Sequence, residues 1–139
     1  MQNIKEILKK KILVLDGPMG TMVQSYKLHE NDFRGDRFKN HPCDLKGNND
    51  ILCITKPEVI REIHLAYLKS GADLIDTNTF NATSISQEDY KTESLSYEIN
   101  LAGARLAKNV CEEITAKNPS KSRFVCGAIG PTNKTASMS

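Results

Sequence analysis

The chain has 139 residues, 39% of them hydrophobic and 26% charged, with a formal net charge of +2. That length holds one domain with a real core, and a charge so near neutral gives no ground for proposing nucleic acid as a partner. No apolar run approaches the ~20 residues of a membrane span, and Met1-Gln-Asn-Ile-Lys-Glu-Ile-Leu-Lys-Lys10 lacks the apolar centre and small-residue cleavage site of a secretory leader, so the expected compartment is the cytoplasm.

Residues 3–10 are predicted as a short helix, with Ile4, Ile7 and Leu8 on one face and the basic Lys9-Lys-Lys11 as its solvated end. Residues 12–16, Ile-Leu-Val-Leu-Asp, follow as a first strand. Such an unbroken apolar run is of the kind buried on both faces of a parallel sheet. Residues 17–56 form a long polar excursion with a helical turn at Gly20 to Gln24. A loop of that length between strand and helix is uncommon in a compact domain and usually functional. Within it, Asp32-Phe-Arg-Gly-Asp-Arg37 and Asn48-Asn-Asp50 read on composition as turns or surface ion pairs, the latter worth little energy.

Thr55-Lys-Pro-Glu58 combines a capping-box pattern with a proline in the first turn and opens the next helix. Val59, Ile63, Ala66, Tyr67 and Ser70 keep helical spacing, and Gly71 stands at the C-cap. A second strand is predicted at 73–77, then a polar loop and short helix over about 79–90. The longest helix runs from Glu93 to about Lys117, with Leu95, Ile99, Ala102, Leu106, Val110 and Ile114 stepping by three or four. Asn118-Pro119 ends it, a third strand covers 123–129, and a loop occupies Gly130 to Ser139. Strands separated by helices imply parallel pairing with right-handed crossovers. Three such strands fit either a small open flavodoxin-like sheet or the opening of a (β/α)8 TIM-type barrel, which needs ~200 residues to close. The chain is expected to be truncated just past a strand's C-terminal loop.

In a parallel sheet, ligands bind at the carboxyl ends of the strands. Asp76-Thr-Asn-Thr79 follows the buried Leu74 and Ile75 with a carboxylate, two hydroxyls and an amide. Groups of these types suit a zwitterion: carboxylates take an ammonium, while hydroxyls and backbone N–H groups take a carboxylate. The competing role is capping of the helix that starts near Ser84. Asp16-Gly17 sits equivalently after the first strand, where it either lines a site or turns the chain; Gly17 and Gly20 would let backbone approach a ligand closely. No Gly-rich phosphate loop, nucleophile with its base, or paired-carboxylate constellation is present. Cys43, Cys53, Cys111 and Cys126, like His29, His41 and His64, are scattered without zinc-site spacing. They are expected to be reduced thiols and ordinary imidazoles, with no metal held by this chain.

Taken in order, Leu15-Asp-Gly-Pro-Met-Gly-Thr-Met22, Tyr26-Lys-Leu28 with Asp32-Phe-Arg-Gly35, Asp44-Leu-Lys-Gly-Asn-Asn-Asp50, Thr77-Asn-Thr-Phe-Asn-Ala-Thr-Ser84, Gln87 with Asp89-Tyr90, and Gly127-Ala-Ile-Gly-Pro-Thr-Asn-Lys-Thr-Ala-Ser137 span almost the whole sequence. Together they resemble the homocysteine S-methyltransferase family. The Lys46–Asp50 and Gly130–Ser137 segments resemble its cobalamin-dependent methionine synthase branch in particular. The resemblance implies that residues 1–139 are the N-terminal portion of a homocysteine-binding (β/α)8 domain. It implies methyl transfer from methylcobalamin, regenerated from 5-methyltetrahydrofolate, to the zinc-activated thiol of homocysteine, giving methionine. The partners implied are homocysteine, the remainder of the barrel, and folate and cobalamin modules. Zinc-ligand cysteines of the family lie on later strands, so no zinc, cobalamin or catalytic residue is expected here and the chain alone is expected to be inactive. What carries over is substrate binding: Asp16 and Gly17, with Thr77, Asn78 and Thr79, match positions lining the homocysteine pocket. Asp16 is assigned to the ammonium, and the Thr and Asn groups with nearby backbone N–H groups to the carboxylate. Pro18, where relatives carry a small residue, stiffens this loop. Two other readings stand beside this one: a zinc-dependent homocysteine methyltransferase using S-methylmethionine or betaine, and a non-catalytic α/β binding or assembly module.

Overall fold

The computed structural model describes residues 3–132 and 134. Seven α-helices and two strands are formed among them: α1 (Ile4–Leu8), α2 (Met19–Ser25), α3 (Glu30–Arg34), α4 (Leu52–Thr55), α5 (Pro57–Ser70), β1 (Leu74–Asp76), α6 (Ser84–Gln87), α7 (Ser96–Lys117) and β2 (Phe124–Cys126). β1 and β2 pair in parallel, Leu74 opposite Phe124 and Asp76 opposite Cys126. On the other side of β1, Leu15 forms a parallel bridge to Leu74. Asp73 and Leu74 both donate backbone N–H groups to the Val14 carbonyl, and Asp16 donates to that of Leu74. Three extended segments therefore lie parallel with β1 in the middle, separated in sequence by helices as their spacing predicts.

The two long helices form where the sequence dictates. α5 has Pro57 in its first turn, where the missing N–H is harmless, and buries Val59, Ile60, Ile63, His64 and Leu68. It ends on Gly71 at φ +116°, whose N–H reaches the Leu68 carbonyl; only glycine takes that conformation without strain. The α7 stripe Ile99, Gly103, Ala107, Val110 and Cys111 is buried against α5 and the strands. Leu68, Ile75, Ala107, Val110 and Cys111 make one core under the sheet, and Val23, Phe33, Leu45, Ile51, Leu52, Val59, Ile60 and Ile63 make a second under the excursion.

Several local expectations change. The 12–16 segment is not buried on both faces: Ile12 is 91% exposed and Leu15 50%, because its outer edge has no sheet neighbour among the described residues. The Thr55 capping box does not form. Thr55 is the last residue of α4, its hydroxyl donates to the Ile51 carbonyl, and Lys56 precedes α5 without a side-chain cap. The Asp32–Arg37 segment does hold surface ion pairs, Asp36 with Lys39 and Arg37 with Glu98, but it is no loose turn. Phe33 is in the core, and Glu30 accepts from Arg34 Nε (2.5 Å) and from the N–H groups of Leu45 (2.9 Å) and Lys46 (2.7 Å). Arg34 in turn donates to the carbonyls of His41 and Cys43, so local ion pairing folds the excursion onto α3. The strands are shorter than predicted, and α7 starts at Ser96 after a 3-10 turn over Glu93–Leu95.

Asp73 fastens the amino ends of all three segments. Its buried carboxylate accepts from Lys11 Nζ (2.9 Å) and from the Val14 N–H (3.1 Å), and Lys121 and Arg123 stand 3.7 Å away. Burial pushes this carboxyl up, but the hydrogen bonds from Lys11 and Val14 and the charges of Lys11 and Lys121 hold it below the usual range. Removing the carboxylate strands Arg123 and unpairs Val14, so Asp73→Ala is expected to lower stability by about 3–5 kcal/mol, the range for breaking a buried pair; equilibrium urea unfolding measures it.

His64 makes the opposite kind of demand. It is fully buried and neither ring nitrogen has a hydrogen-bond partner. Burial pulls its pKa from 6.5 to about 4. A base with a depressed pKa favours folding fully above pH 6.5 and progressively less as pH falls toward 4. The stability advantage of His64→Leu over the parent is therefore expected to grow by about 2 kcal/mol between pH 7 and pH 5. Paired unfolding curves measure this, since other groups titrating in that interval cancel in the difference.

Candidate functional site

The carboxyl ends of the three extended segments converge on one cavity of about 300 Å³. Asp16 to Gly20 line it from the first segment and the start of α2, Asp76, Thr77, Asn78, Phe80 and Asn81 from the loop after β1, and Ala128 from the loop after β2. Asn49 and Asp50 close it from the excursion. Of the residues singled out in the sequence, Asp16, Gly17, Thr77 and Asn78 face this cavity together, while Thr79 is buried beside it.

Asp16 is held by its neighbour strand: Oδ2 accepts the Asp76 N–H at 3.1 Å. Burial, opposed by that bond and reinforced by the nearby Asp76 charge, raises the Asp16 pKa from 3.8 to about 6. Asp50 is buried in the opposite wall and accepts the Asn81 N–H at 2.9 Å. Desolvation lifts its pKa to about 6 as well. The cavity thus presents carboxylates that are uncomfortable without a cation, which favours a positively charged ligand group.

The hydroxyls serve differently. The Thr77 hydroxyl accepts the Ala128 N–H (2.9 Å) and lies 2.6 Å from that of Thr79, which donates to the Ala128 carbonyl (2.9 Å). With the Thr79 proton committed to that carbonyl, the Thr77 proton goes to Thr79, and the ring of bonds closes. It ties the loop after β1 to the loop after β2. Asn78 donates its amide to the Asn49 carbonyl (2.8 Å), and its own carbonyl takes the Cys53 thiol (3.3 Å). Gly17 packs closely on Tyr67: a Cβ there would meet the ring at 3.1 Å, so the ring would have to give by a few tenths of an ångström. Thr83, not the 76–79 run, caps α6, through the Ser86 N–H. The capping alternative for that run is thereby answered.

Asn49, Asp50 and Asn81 are polar cavity residues that sequence reasoning did not assign to the site. Asn48-Asn-Asp50 had the composition of a solvated turn, yet Asn48 and Asp50 are 1% and 3% exposed; three consecutive polar residues just before the apolar Ile51-Leu-Cys-Ile54 were the available signal. As for metal, the described residues contain no group of three His, Cys, Asp or Glu suited to hold an ion. Burial raises the Cys53 thiol to about 12 and Cys111 to about 11, and lifts Cys126 too. Thiols held protonated are poor ligands, so these residues do not fit a zinc site. No helix among the described residues is long and apolar enough to cross a membrane.

Comparison with known proteins bears on what this cavity serves. The family described as homocysteine S-methyltransferase matches residues 13–139. The structure is similar to the Escherichia coli homocysteine methyltransferase MmuM in its metallated form, at 25% identity over 92% of this chain and 41% of that one, with a TM-score of 0.71. The oxidised form of MmuM matches at 27% identity, 92% and 40% coverage and a TM-score of 0.71, and the apo form at 25%, 94%, 41% and 0.63. The chain therefore spans about two-fifths of the length of these solved relatives, and its fold is the opening part of a (β/α)8 TIM-type barrel methyltransferase. Asn133 and Thr135 to Ser137, the tail of the last sequence motif, lie outside the described residues.

Thr77→Val keeps the shape but removes the acceptor of the Ala128 N–H and the partner of Thr79. It is expected to lower stability by about 1–3 kcal/mol, the range for orphaning buried polar groups, and to speed amide exchange at Ala128, measured by hydrogen-exchange NMR.

Proposed function

The chain belongs to the homocysteine S-methyltransferase family, and we propose that its cavity holds the amino-acid end of homocysteine while the thiol receives a methyl group. The observation that carries this reading is the Asp16 carboxylate, fixed at the cavity by the Asp76 N–H and raised to about 6 by burial. An ammonium group beside it relieves the desolvation that an isolated carboxylate suffers. Asp16 is assigned to the substrate ammonium; Gly17, Thr77, Asn78 and Thr79 are assigned to the carboxylate side of the pocket. Thr77 and Thr79 act there through the loops they tie together, Asn78 by fixing the Asn49 carbonyl, and Gly17 by letting its loop settle against Tyr67.

Zinc in this family would supply a thiolate nucleophile at neutral pH. Its ligands are assigned to barrel strands beyond these residues, since no three metal-binding groups cluster among the described residues. The methyl donor is assigned as methylcobalamin regenerated from 5-methyltetrahydrofolate, on the Lys46–Asp50 and Gly130–Ser137 segments. Methionine is then the product, folate and cobalamin modules are partners of this domain, the compartment is the cytoplasm, and the chain by itself is inactive in transfer. The likeness to MmuM, a homocysteine methyltransferase, supports a second reading in which a small donor such as S-methylmethionine or betaine takes the place of methylcobalamin. Turnover by the intact protein with each donor separates the two.

Substrate binding has a predictable pH dependence. The ammonium needs Asp16 ionised, so affinity for L-homocysteine is expected to rise as pH rises through about 6 and to level off above 7. Asp16→Asn is expected to weaken binding by about 1–3 kcal/mol, the range for a charged hydrogen-bond partner, and to flatten that dependence. NMR titration at pH 5, 6 and 7.5 measures both; unchanged affinity in Asp16→Asn would move Asp16 to a structural role.

A further inference from the structure

The wall of the cavity formed by Asn49, Asp50 and Asn81 is braced by a residue that is not itself among those lining the cavity. Gln87, at the end of α6, is fully buried, as are Asn48 and Thr92. The Gln87 and Asn48 amides bond head to head: Asn48 Nδ2 donates to Gln87 Oε1 at 2.8 Å, and Gln87 Nε2 donates to Asn48 Oδ1 at 3.1 Å. The second Nε2 proton goes to the Asn81 carbonyl at 2.9 Å, and the Thr92 hydroxyl reaches Oε1 at 2.8 Å. Every donor and acceptor of the Gln87 amide is thereby used.

Asn48 carries the cavity residues Asn49 and Asp50 immediately after it, and Asn81 is itself a cavity residue. The two segments also meet directly, through the Asn81 N–H on Asp50 Oδ1. Gln87 thus grips the Asn81 peptide by its carbonyl while Asp50 grips it by its N–H, and Gln87 holds the other end of the Asp50 loop through Asn48. Only an amide can do this, since the position must donate twice and accept at one site. A carboxylate cannot donate, and an apolar group leaves the Asn48 amide and the Asn81 carbonyl unpaired in the interior.

We propose that Gln87 is a positioning residue for the amino-acid site: its amide sets the placement of Asp50 and Asn81 in the cavity wall, and so the affinity for the amino-acid end of the substrate. This rests on the reading of the cavity as a homocysteine site. The general warrant is that binding groups must be held by a shell whose own rotamers are locked by packing and hydrogen bonds. The Asp50 carboxyl, raised by the burial this wall imposes, falls toward the ordinary range when the wall loosens and hydrates.

The test titrates the full chain with L-homocysteine by NMR and follows thermal unfolding in parallel, comparing the parent, Gln87→Met, and the double variant Asn48→Leu with Gln87→Met. The double variant removes both amides, so the Asn48 amide is no longer orphaned. The Asn81 carbonyl loses its donor in both variants, and the double variant therefore keeps a measurable fold where the single variant is weakened further. Both variants are expected to bind at least fivefold more weakly, with the double variant recovering part of the melting temperature lost in Gln87→Met but none of the affinity, and with the Asp50 carboxyl titrating at lower pH. A double variant that binds as tightly as the parent, or an affinity that returns together with the melting temperature, overturns the proposal by making Gln87 structural only. If the parent itself shows no saturable binding, the reading of the cavity falls, and the positioning role falls with it; that outcome is distinguished by the parent titration alone.

Discussion

The arrangement depends first on one buried carboxylate. Asp73 sits at the amino end of the central strand and takes hydrogen bonds from Lys11 and Val14 of the segment on one side, with Lys121 and Arg123 of the approach to the other strand close by. A lone carboxylate in that position would be strongly disfavoured. Cations from both flanking segments offset the desolvation, and in doing so they bring those segments to the same level. Register in a parallel sheet is otherwise weakly specified when the strands are three residues long. With the amino ends fixed, the carboxyl ends come level too, and Asp16, Asp76 and Ala128 meet around one cavity.

At that end the polar groups divide into those that build the site and those left to serve it. The Thr77, Thr79 and Ala128 ring consumes its own hydroxyl protons, and the Asn48–Gln87 pair consumes its amides. Such networks are stable in a low-dielectric interior only when every member is satisfied. The carboxylates are the groups left under-compensated: Asp16 has one backbone N–H from the neighbouring strand and Asp50 one from Asn81. A saturated frame around under-compensated charge is an arrangement into which a cationic group would fit without rearranging the frame.

How much of this was legible in the sequence follows from how local each signal is. The bodies of α5, from Pro57 to the Gly71 cap, and of α7 are properties of contiguous residues and were read correctly. The α7 stripe, however, was read one position off in places: Ile99 and Val110 are fully buried, Ala102, Leu106 and Ile114 only partly, and Gly103, Ala107 and Cys111 fill the contact instead. The convergence of Asp16 with Thr77 and Asn78 was legible too, because the strand-end rule is topological and the family motifs marked the same positions. The Thr55 box failed because a short helix, α4, claimed Thr55 first. The exposure of Ile12 and Leu15 depends on what lies beside them, which an apolar run does not encode. Asn48-Asn-Asp50 does open a 3-10 turn, Asn49–Ile51, but its burial was not read because its partner, Gln87, lies 39 residues away, and no periodicity connects two amides at that separation.

The titrating groups of this domain pull in opposite directions, which separates binding from folding. His64, depressed to about 4, favours folding more as pH rises to 6.5. Asp16 and Asp50, both raised to about 6, do the reverse: their contribution is full below 3.8 and is lost as pH rises through 6. The two effects fall in the same interval with opposite sign, so they partly cancel in the stability of the fold. They do not cancel in the cavity, because His64 is not among its lining residues whereas both carboxylates are. A cationic ligand group that draws Asp16 back toward its ordinary pKa therefore recovers the destabilisation Asp16 imposes on the empty domain at neutral pH. Ligand binding should consequently stabilise the fold more at pH 7 than at pH 5, a difference readable as a larger ligand-induced shift in the melting temperature at the higher pH.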